Sequence, residues 1–548
     1  MSTRARAGLL AAPFAFLALF FVWPVANIIG EGLRGPTGWD LSGVSDVVGD
    51  PSLRRVAWFT TWQAAASTVL TLAVALPAAH VLARYEFRGR RLVQALVTVP
   101  FVLPTVVVGA AFLALLGPRS PLGLDLRGSV WPILLAHAFF NHAVVVRTVG
   151  GLWEGLDPRT AEAAQVLGAS RWRVAREVTL PALRPAIASA AVITFLFTFT
   201  SFGVVRILGT PAHQTIEVEI YRQTADLLNL PVASVLALLQ MGAVGALLAT
   251  QDRLERRRAV AGIALRPAAR HRPATRSERT WVRGNLAVMG LFLVTPLAVL
   301  VERSLRTGDG HGLAAWRALG DRSAASGLFV PPLEAVTNSL RFAVIATAVA
   351  VTLGGLAALA LSGSRGRVAR VIDAALLLPL GTSAVTVGFG FLIALDRPID
   401  LRASSWLVPF AQALVALPFV VRIMTPVLRS IDVRLHEAAA VLGASPARVR
   451  REIDLPIVRR ALLVASGFAF AISLGEFGAT TVIARADTPT VPVAIDRLLG
   501  RPGSVNVGQA FALSVILMAL TAAAVLVVDH TRARDRASTA TPMREGWV

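Results

Sequence analysis

Apolar residues run along this chain in unbroken blocks, and the polar residues gather in the gaps between them. A block of ~20 residues is long enough to cross the hydrocarbon core of a bilayer as a helix. Twelve can be drawn: 9–29, 56–82, 92–116, 130–149, 186–208 and 230–250, then 285–301, 339–361, 371–395, 406–428, 461–484 and 507–528. The blocks are continuous rather than alternating, which argues against a transmembrane barrel. Pro100 and Pro104 fall inside the third, tolerable where neighbouring helices satisfy the freed carbonyls. Arg4 and Arg6 precede the first block, which is long and followed by no convincing small-residue cleavage site, so it reads as a retained helix with its N-terminus inside.

Two of the polar gaps carry one pattern. Glu162 to Pro181 reads E-A-A-Q-V-L-G-A-S-R-W-R-V-A-R-E-V-T-L-P, and Glu437 to Pro456 reads E-A-A-A-V-L-G-A-S-P-A-R-V-R-R-E-I-D-L-P. The offset is 437 − 162 = 275, and the same 275 aligns Arg147 with Arg422, Phe202-Gly203 with Phe477-Gly478 and Thr215 with Thr490. Each half has an even number of blocks, so the copies share one orientation, related by a pseudo-twofold axis along the membrane normal. The expected fold class is an all-α polytopic membrane protein of about 12 transmembrane helices in two parallel six-helix repeats. The expected parts are a first transmembrane domain over 1–250, an Arg-rich cytoplasmic linker over 251–283, a second transmembrane domain over 284–528 and a cytoplasmic tail over 529–548.

Composition sharpens this picture. The chain of 548 residues is 55% hydrophobic with a mean hydropathy of +0.63, far too apolar for a soluble protein of this size. It has no cysteine, which excludes disulfides, Fe–S clusters and thiol chemistry. Its net charge is +21, and all 54 basic residues are arginine. In a membrane protein that excess is a topology signal and a poor argument for nucleic acid. Clusters at Arg84 to Arg91 and at Arg365 to Arg370, the linker and the tail all fall on one side, which places both termini inside. Segments 31–55, 117–129 and 209–229 then lie outside, the last with Glu217, Glu219 and Asp226. Without lysine there is no ordinary Walker A loop, so any ATP hydrolysis belongs to another polypeptide. No metal-ligand motif, nucleophile elbow or catalytic carboxylate pair stands out.

The patterned gaps, 157–181 and 432–456, predict a helix, a tight turn and a second helix. Asp157 can cap a helix that begins at Pro158, Gly168 suits the left-handed residue after its end, and Ser170 can cap a second helix over 171–178 that Pro181 ends. Asp432, Gly443 and Ser445 repeat this logic, with Pro446 at the first helical position. One copy would pass as a solvated connector; two matching copies argue for a paired docking element. The pattern resembles the E-A-A loop of permease subunits of ATP-binding-cassette importers, whose short helix seats in a groove of the ATPase. By that resemblance Glu162, Ala163, Ala164 and Gly168, with Glu437, Ala438, Ala439 and Gly443, form two docking elements. It implies as partners two copies of an ATPase subunit, which carry ATP and Mg, and an extracytoplasmic solute-binding protein. No cofactor is implied in this chain, and it is not expected to be an enzyme.

Polar residues inside the blocks are functional candidates because they are costly there. Glu476 in S-L-G-E-F-G-A stands opposite Ser201 in the repeat; His137, Asn141 and His142 sit in the fourth block; Phe139, Phe140, Phe202 and Phe477 could stack on a flat cation. The competing readings are an acid paired with arginine or near the outer interface, helix–helix hydrogen bonding and plain packing. The pathway candidates are therefore Glu476, Ser201, His137, Asn141, Phe202 and Phe477. The whole chain resembles the fused permeases of the thiamine and ferric-iron branch. Ile133 to Asn141, Thr215 to Arg222 with the following A-L-L-Q-M, and Ser473 to Gly478 lean to thiamine, although iron permeases share the last. A twelve-span secondary transporter would carry its signature loop between the second and third spans, whereas these loops follow the fourth and tenth. A membrane enzyme would show clustered polar catalytic groups at one membrane face, and none is evident.

Overall fold

The computed structural model describes residues 3–35, 38–40, 42–118, 120–260, 270–307, 310–321, 328–364, 366–396 and 400–539. The described chain is mostly helix, with two antiparallel pairs of two-residue strands, Arg34–Gly35 with Gly38–Trp39 and Arg306–Thr307 with Gly310–His311. In chain order the first half contains α1 (Arg6–Leu33), α2 (Pro51–Arg84), α3 (Arg90–Val102), α4 (Thr105–Leu116), α5 (Trp131–Gly155), α6 (Pro158–Val166), α7 (Arg171–Phe199), α8 (Gly203–Leu208), α9 (Ile216–Tyr221) and α10 (Leu230–Leu254). The second half contains α11 (Arg276–Ser304), α12 (Glu334–Ser362), α13 (Gly366–Gly381), α14 (Ala384–Ala394), α15 (Leu407–Arg429), α16 (Val433–Val441), α17 (Ala447–Gly475), α18 (Gly478–Ile483), α19 (Val491–Leu499) and α20 (Ser504–Val527). Among the described residues, ten helices are long and apolar enough to cross a bilayer, or twelve if each of two bent pairs is one span.

Those bent pairs, α3–α4 and α13–α14, replace the straight third and ninth blocks that hydropathy predicts; they turn by 103° and 94°. Pro104 has no N–H and drives Leu103 before it to an extended φ −65°, ψ 140°, so the helix cannot run through. Pro379 stands 275 residues on, in a short 3₁₀ turn ahead of the extended Thr382. Ser383 then caps the new helix, accepting from Thr386 N–H at 3.3 Å. The fifth and eleventh blocks are also cut short, at Phe199 and Gly475, and the chain restarts as the short helices α8 and α18.

At the other end, α7 and α17 run longer than predicted. Pro181 does not terminate its helix: α7 passes from Arg171 through Pro181 to Phe199. A π-helical turn over Ala175–Thr179 widens the ladder just before the proline, and the second half repeats it at Arg450–Asp454. The wider turn moves the preceding carbonyls away from the pyrrolidine ring, so the proline sits in the first turn of a fresh α segment. The linker is likewise partly helical: the sixth helix continues to Val260 and α11 starts at Arg276, while 261–269 and Arg365 lie outside the described residues. The tail continues as helix to Thr539, and 540–548 lie outside the described residues.

The chain forms two compact units that do not coincide with its sequence halves. One contains Met1–Gly30, Gly320–Ala494 and Ile516–Val548; the other contains Glu31–Leu319 and Ile495–Val515. In the second of these, α2, α5 and α7 pack together, with α11 against α4 and α2. In the first, α12, α15 and α17 pack together and α1 lies on α12. Each half thus leaves its own first helix in the other half's unit. Aromatic contacts hold α1 there: Phe16, Phe20, Phe391 and Phe410 meet with centroids 5.0–6.3 Å apart. Trp23 Nε1 donates to the Ala394 carbonyl at 3.0 Å.

Backbone approach at α1 is close. A Cβ on Gly390 would stand 2.8 Å from Pro24 Cβ. Gly390→Leu should therefore displace α1 and lower the melting temperature of the detergent-purified chain by several degrees. Gly245→Leu, where a Cβ meets nothing within 4 Å, is the control and should melt with the wild type.

Candidate functional site

The two patterned gaps fold as hairpins with the same backbone bonds. Asp157 caps α6 by accepting from Arg159 N–H at 3.0 Å, and Asp432 caps α16 from Arg434 N–H at 3.0 Å. At the helix ends Leu167 and Ala169 N–H reach the carbonyls of Ala163 and Ala164 at 3.1 and 3.0 Å. Leu442 and Ala444 N–H reach those of Ala438 and Ala439 at 3.0 and 2.9 Å. The alanines thus supply the acceptors that close each turn. Gly168 and Gly443 make it possible, with φ of +84° and +74°. Ser170 and Ser445 cap the following helices from Arg173 and Arg448 N–H, both at 3.3 Å.

The outer surface of each hairpin is more apolar than a solvated connector should be. Val166 and Leu167 are each 87% exposed, and Val441 and Leu442 are 87% and 85% exposed. Glu162, Ala163, Glu437 and Ala438 are exposed beside them, with Ala164 and Ala439 half-buried. The same apolar pair is thus turned outward at the same place in both hairpins. The motif reading named the glutamates, alanines and glycines and passed over these V-L pairs; the signal was two apolar residues directly before a helix-ending glycine.

The hairpins are braced differently. Before the first, Glu154 binds Arg90 at 2.8 Å and Arg270 at 3.1 Å. Residues 270–271 run back along α2: His271 N–H donates to the Arg84 carbonyl at 3.2 Å, and Glu86 N–H donates to the His271 carbonyl at 3.0 Å. Arg90 is buried and also donates to the Leu82 carbonyl at 2.8 Å, so it is a bracket and not only a solvated topology marker. In the second hairpin, His436 reaches Asp454 at 2.7 Å; the equivalent residues of the first, Ala161 and Thr179, cannot form such a pair.

Among the pathway candidates, His137 and Ser201 meet. His137 lies on α5, with Nδ1 3.1 Å from Ser67 Oγ and Nε2 2.8 Å from Ser201 Oγ. Asn141 Nδ2 donates to the His137 carbonyl at 3.0 Å. The partner helix α2 presents Thr60, Gln63, Ser67 and Thr71, all fully buried, at spacings of three and four. Gln63 Nε2 donates to the Thr198 carbonyl at 2.8 Å and Thr60 Oγ1 accepts from Ile216 N–H at 2.9 Å. That spacing of polar residues within an apolar block was legible and went unused. Phe202 is buried, with its ring 5.7 Å from that of Tyr221.

Glu476 and Phe477 belong to the other compact unit. Glu476 is buried, and no arginine among the described residues pairs with it. Its two carboxylate oxygens accept from Ala479 and Thr480 N–H at 2.8 and 2.9 Å, and Thr480 Oγ1 donates to it as well. It is therefore the cap of α18. Gly478 in the same motif lets α18 lie directly on α14: a Cβ there would stand 2.9 Å from Ala384 Cβ. The S-L-G-E-F-G stretch thus caps α18 and packs it on α14. Phe477 is buried beside it. Glu217 and Glu219, expected in a solvated outer segment, are buried, bonded by Gln240 at 2.6 Å and Gln223 at 2.7 Å.

The model of one protein family, the binding-protein-dependent transport system inner membrane component, matches residues 71–260 and 350–535. The chain belongs to this family. It is a fused two-half permease of an ABC importer, a transport component rather than an enzyme, and a multi-pass protein of the inner membrane. A thiamine transport system permease protein of Brucella abortus (strain 2308) is 29% identical over 501 residues, 88% of this chain and 89% of that one. Its counterpart in Salmonella typhimurium is 28% identical over 523 residues, 92% and 93% of the two chains. A sulfate transport system permease protein of Salmonella typhimurium is 35% identical over 178 residues, 31% of this chain and 64% of that one. The family's duplicated domain accounts for the 275-residue offset, and each copy contains one E-A-A hairpin.

Within this permease, Glu476→Gln leaves one acceptor oxygen where three donors converge. It should lower the melting temperature of the purified chain by an amount corresponding to ~1–2 kcal/mol. A variant that melted with the wild type but transported more slowly would move Glu476 from the fold to the pathway.

Proposed function

We propose that this permease forms the membrane pathway of a thiamine importer, and that its two hairpins seat two copies of an ATPase subunit. The observation that carries the substrate is the extent of the similarity. The relatives named for thiamine match ~90% of both chains, across both repeats, whereas the sulfate permease matches one stretch of 178 residues. Solute is delivered by an extracytoplasmic binding protein. The hairpins and both termini face the cytoplasm, in keeping with the arginine clusters on that side. The absence of lysine from the chain requires the nucleotide chemistry, with its ATP and Mg, to reside on the partner.

Docking rests on the repeated outward V-L pairs and on the backbone identity of the two hairpins. On this reading Glu162 and Glu437 supply polar contacts at the rim, and Ala163, Ala164, Ala438 and Ala439 shape the helix that enters the ATPase. ATP-driven closure of the two ATPases draws the hairpins together, the helices rearrange, and the cation passes between the repeats. The buried cluster of His137, Asn141, Ser201 and Phe202 is the candidate lining in one unit; Phe477 is the candidate in the other, with Glu476 acting through the cap it forms.

Uptake of radiolabelled thiamine by cells lacking their own permease tests the substrate. Expression of this chain with its cognate ATPase and binding protein should restore it, and should not restore uptake of ferric iron; the reverse result would overturn the assignment. Docking is tested separately. Gly168→Trp or Gly443→Trp places a bulky residue at a positive φ on the outer face, where no neighbour lies within 4 Å of the Cβ. Each should abolish co-purification of the ATPase while membrane insertion stays normal, and retained co-purification would count against the docking role.

A further inference from the structure

At the end of one compact unit, away from the hairpin 157–181, lies a cavity of about 650 Å³. Helix α5 runs from Trp131, near this cavity's Arg127, down to the hairpin at its other end. The volume falls within the range of small-ligand pockets, about 300–1,000 Å³. Its wall contains Arg127, Arg206, Arg303, Arg306 and Arg501, against the single carboxylate of Asp496.

Among the described residues, five guanidinium groups meet only two carboxylates here, Asp496 on Arg206 and Asp125 on Arg127, so the cavity keeps an excess of positive charge. Three of them are nevertheless held in place. Arg206 is bound by Asp496 at 3.0 and 3.4 Å, with its guanidinium carbon 4.8 Å from the centroid of the Tyr221 ring. Arg303 donates to the Pro118 carbonyl at 2.9 Å. Arg127 grips Asp125 through both carboxylate oxygens, at 2.7–3.1 Å. Arg306 and Arg501 stand exposed at the edge.

The floor adds a second feature of the same sign. The segment Gly500-Arg501-Pro502-Gly503-Ser504 leads into α20, with Gly503 at φ +122°, and the first turn of that helix opens on the cavity through Ser504, Val507 and Gly508. A long helix presents partial positive charge at this end, although Val507 N–H is already taken by the Gly503 carbonyl at 3.3 Å. The repeat does not dictate this chemistry. At the 275-residue offset the first half has Asp226-Leu227-Leu228, an acid in place of Arg501 and a leucine at φ +53° in place of Gly503.

We propose that this cavity binds a phosphate-bearing anion, gripped by the arginines and seated on the first turn of α20. Guanidinium forks match the paired oxygens of a phosphate group, and several of them together suit an anion with three or four acceptors. On the thiamine reading proposed above, the transported cation is repelled here, so this anion site is not a site for that solute. The same chemistry fits two sources, the headgroup of an anionic phospholipid and a free phosphate.

The full-length chain, purified in detergent, is titrated with inorganic phosphate by thermal shift and calorimetry. It is also reconstituted in nanodiscs with and without phosphatidylglycerol, and retained lipid is read by native mass spectrometry. The variant is Arg306→Gln with Arg501→Gln; both residues are exposed, so its melting temperature without ligand should match the wild type. If the source is free phosphate, binding weakens about tenfold or more in the variant. If it is lipid, the wild type retains phosphatidylglycerol, the variant loses it, and inorganic phosphate has little effect. Arg306→Lys with Arg501→Lys should recover part of either signal. The inference is overturned if neither probe binds, if the variant binds as the wild type does, or if a photocrosslinker at Ser504 captures the solute-binding protein within the cavity.

Discussion

In a bilayer no water reaches a backbone N–H freed by a break in a helix, so each break must carry its own acceptor. This chain breaks its membrane helices at several points, and four of the restarts have a side-chain acceptor from the protein. Glu476 takes two backbone N–H groups at the start of α18, Ser383 takes one at the start of α14, Thr60 takes that of Ile216 and Ser339 takes that of Val491. With Ser383 as partner the chain can turn through 94° between α13 and α14, and with Glu476 it can lay α18 back against α14. Without them the same turns would leave donors stranded in hydrocarbon, and a straight span would be the lower-energy path. The buried polar residues of this permease are therefore first a condition of its broken-helix architecture.

Duplication has preserved backbone geometry more closely than chemistry. The bends at Pro104 and Pro379, the π turns before Pro181 and Pro456, and the left-handed glycines 168 and 443 all recur at 275 residues. Prolines and glycines set these features through dihedral limits that no neighbour can supply. The acceptors, by contrast, need only reach the right N–H, and they have diverged. Thr60 serves Ile216 in the first half, while Ser339, one helical turn further along its own helix, serves Val491 in the second. His137 and Ser201 form a bonded pair in the first half where the second has Gln412 and a carboxylate that caps a helix instead.

What was legible in the sequence follows the same division. Hydropathy located the spans, and the capping residues with Gly168 and Gly443 located both hairpins to the residue, because those signals are local. The bends were half legible: Pro104 marked the place, but whether neighbours would absorb the proline or the chain would turn there depends on tertiary partners. Pro181 misled because a five-residue π turn upstream shifts the carbonyl with which its ring would clash. Glu217 and Glu219 were read as solvated because their partners, Gln240 and Gln223, lie outside any local window for one and one turn away for the other. The exchange of first helices was invisible. The block that becomes α1 is apolar on most sides, and nothing in such a block names the surface it will cover.

The single polypeptide also makes the two hairpins unequal. Residues joining the halves return along α2, pair with its end through His271, and place Arg270 on Glu154 beside Arg90. Glu154 precedes the cap Asp157 by three residues, so the connection between halves is fastened at the root of the first hairpin. The second hairpin has no linker following it and is braced from within, by His436 on Asp454. A displacement of the first hairpin must stretch a three-residue ion cluster that includes the linker; among the described residues, a displacement of the second strains the His436–Asp454 pair. Two subunits that each supplied one half would have no such linker to anchor, so the Arg270–Glu154 brace of the first hairpin depends on the fusion. Although their backbones match bond for bond, the two hairpins are braced by different side chains among the described residues.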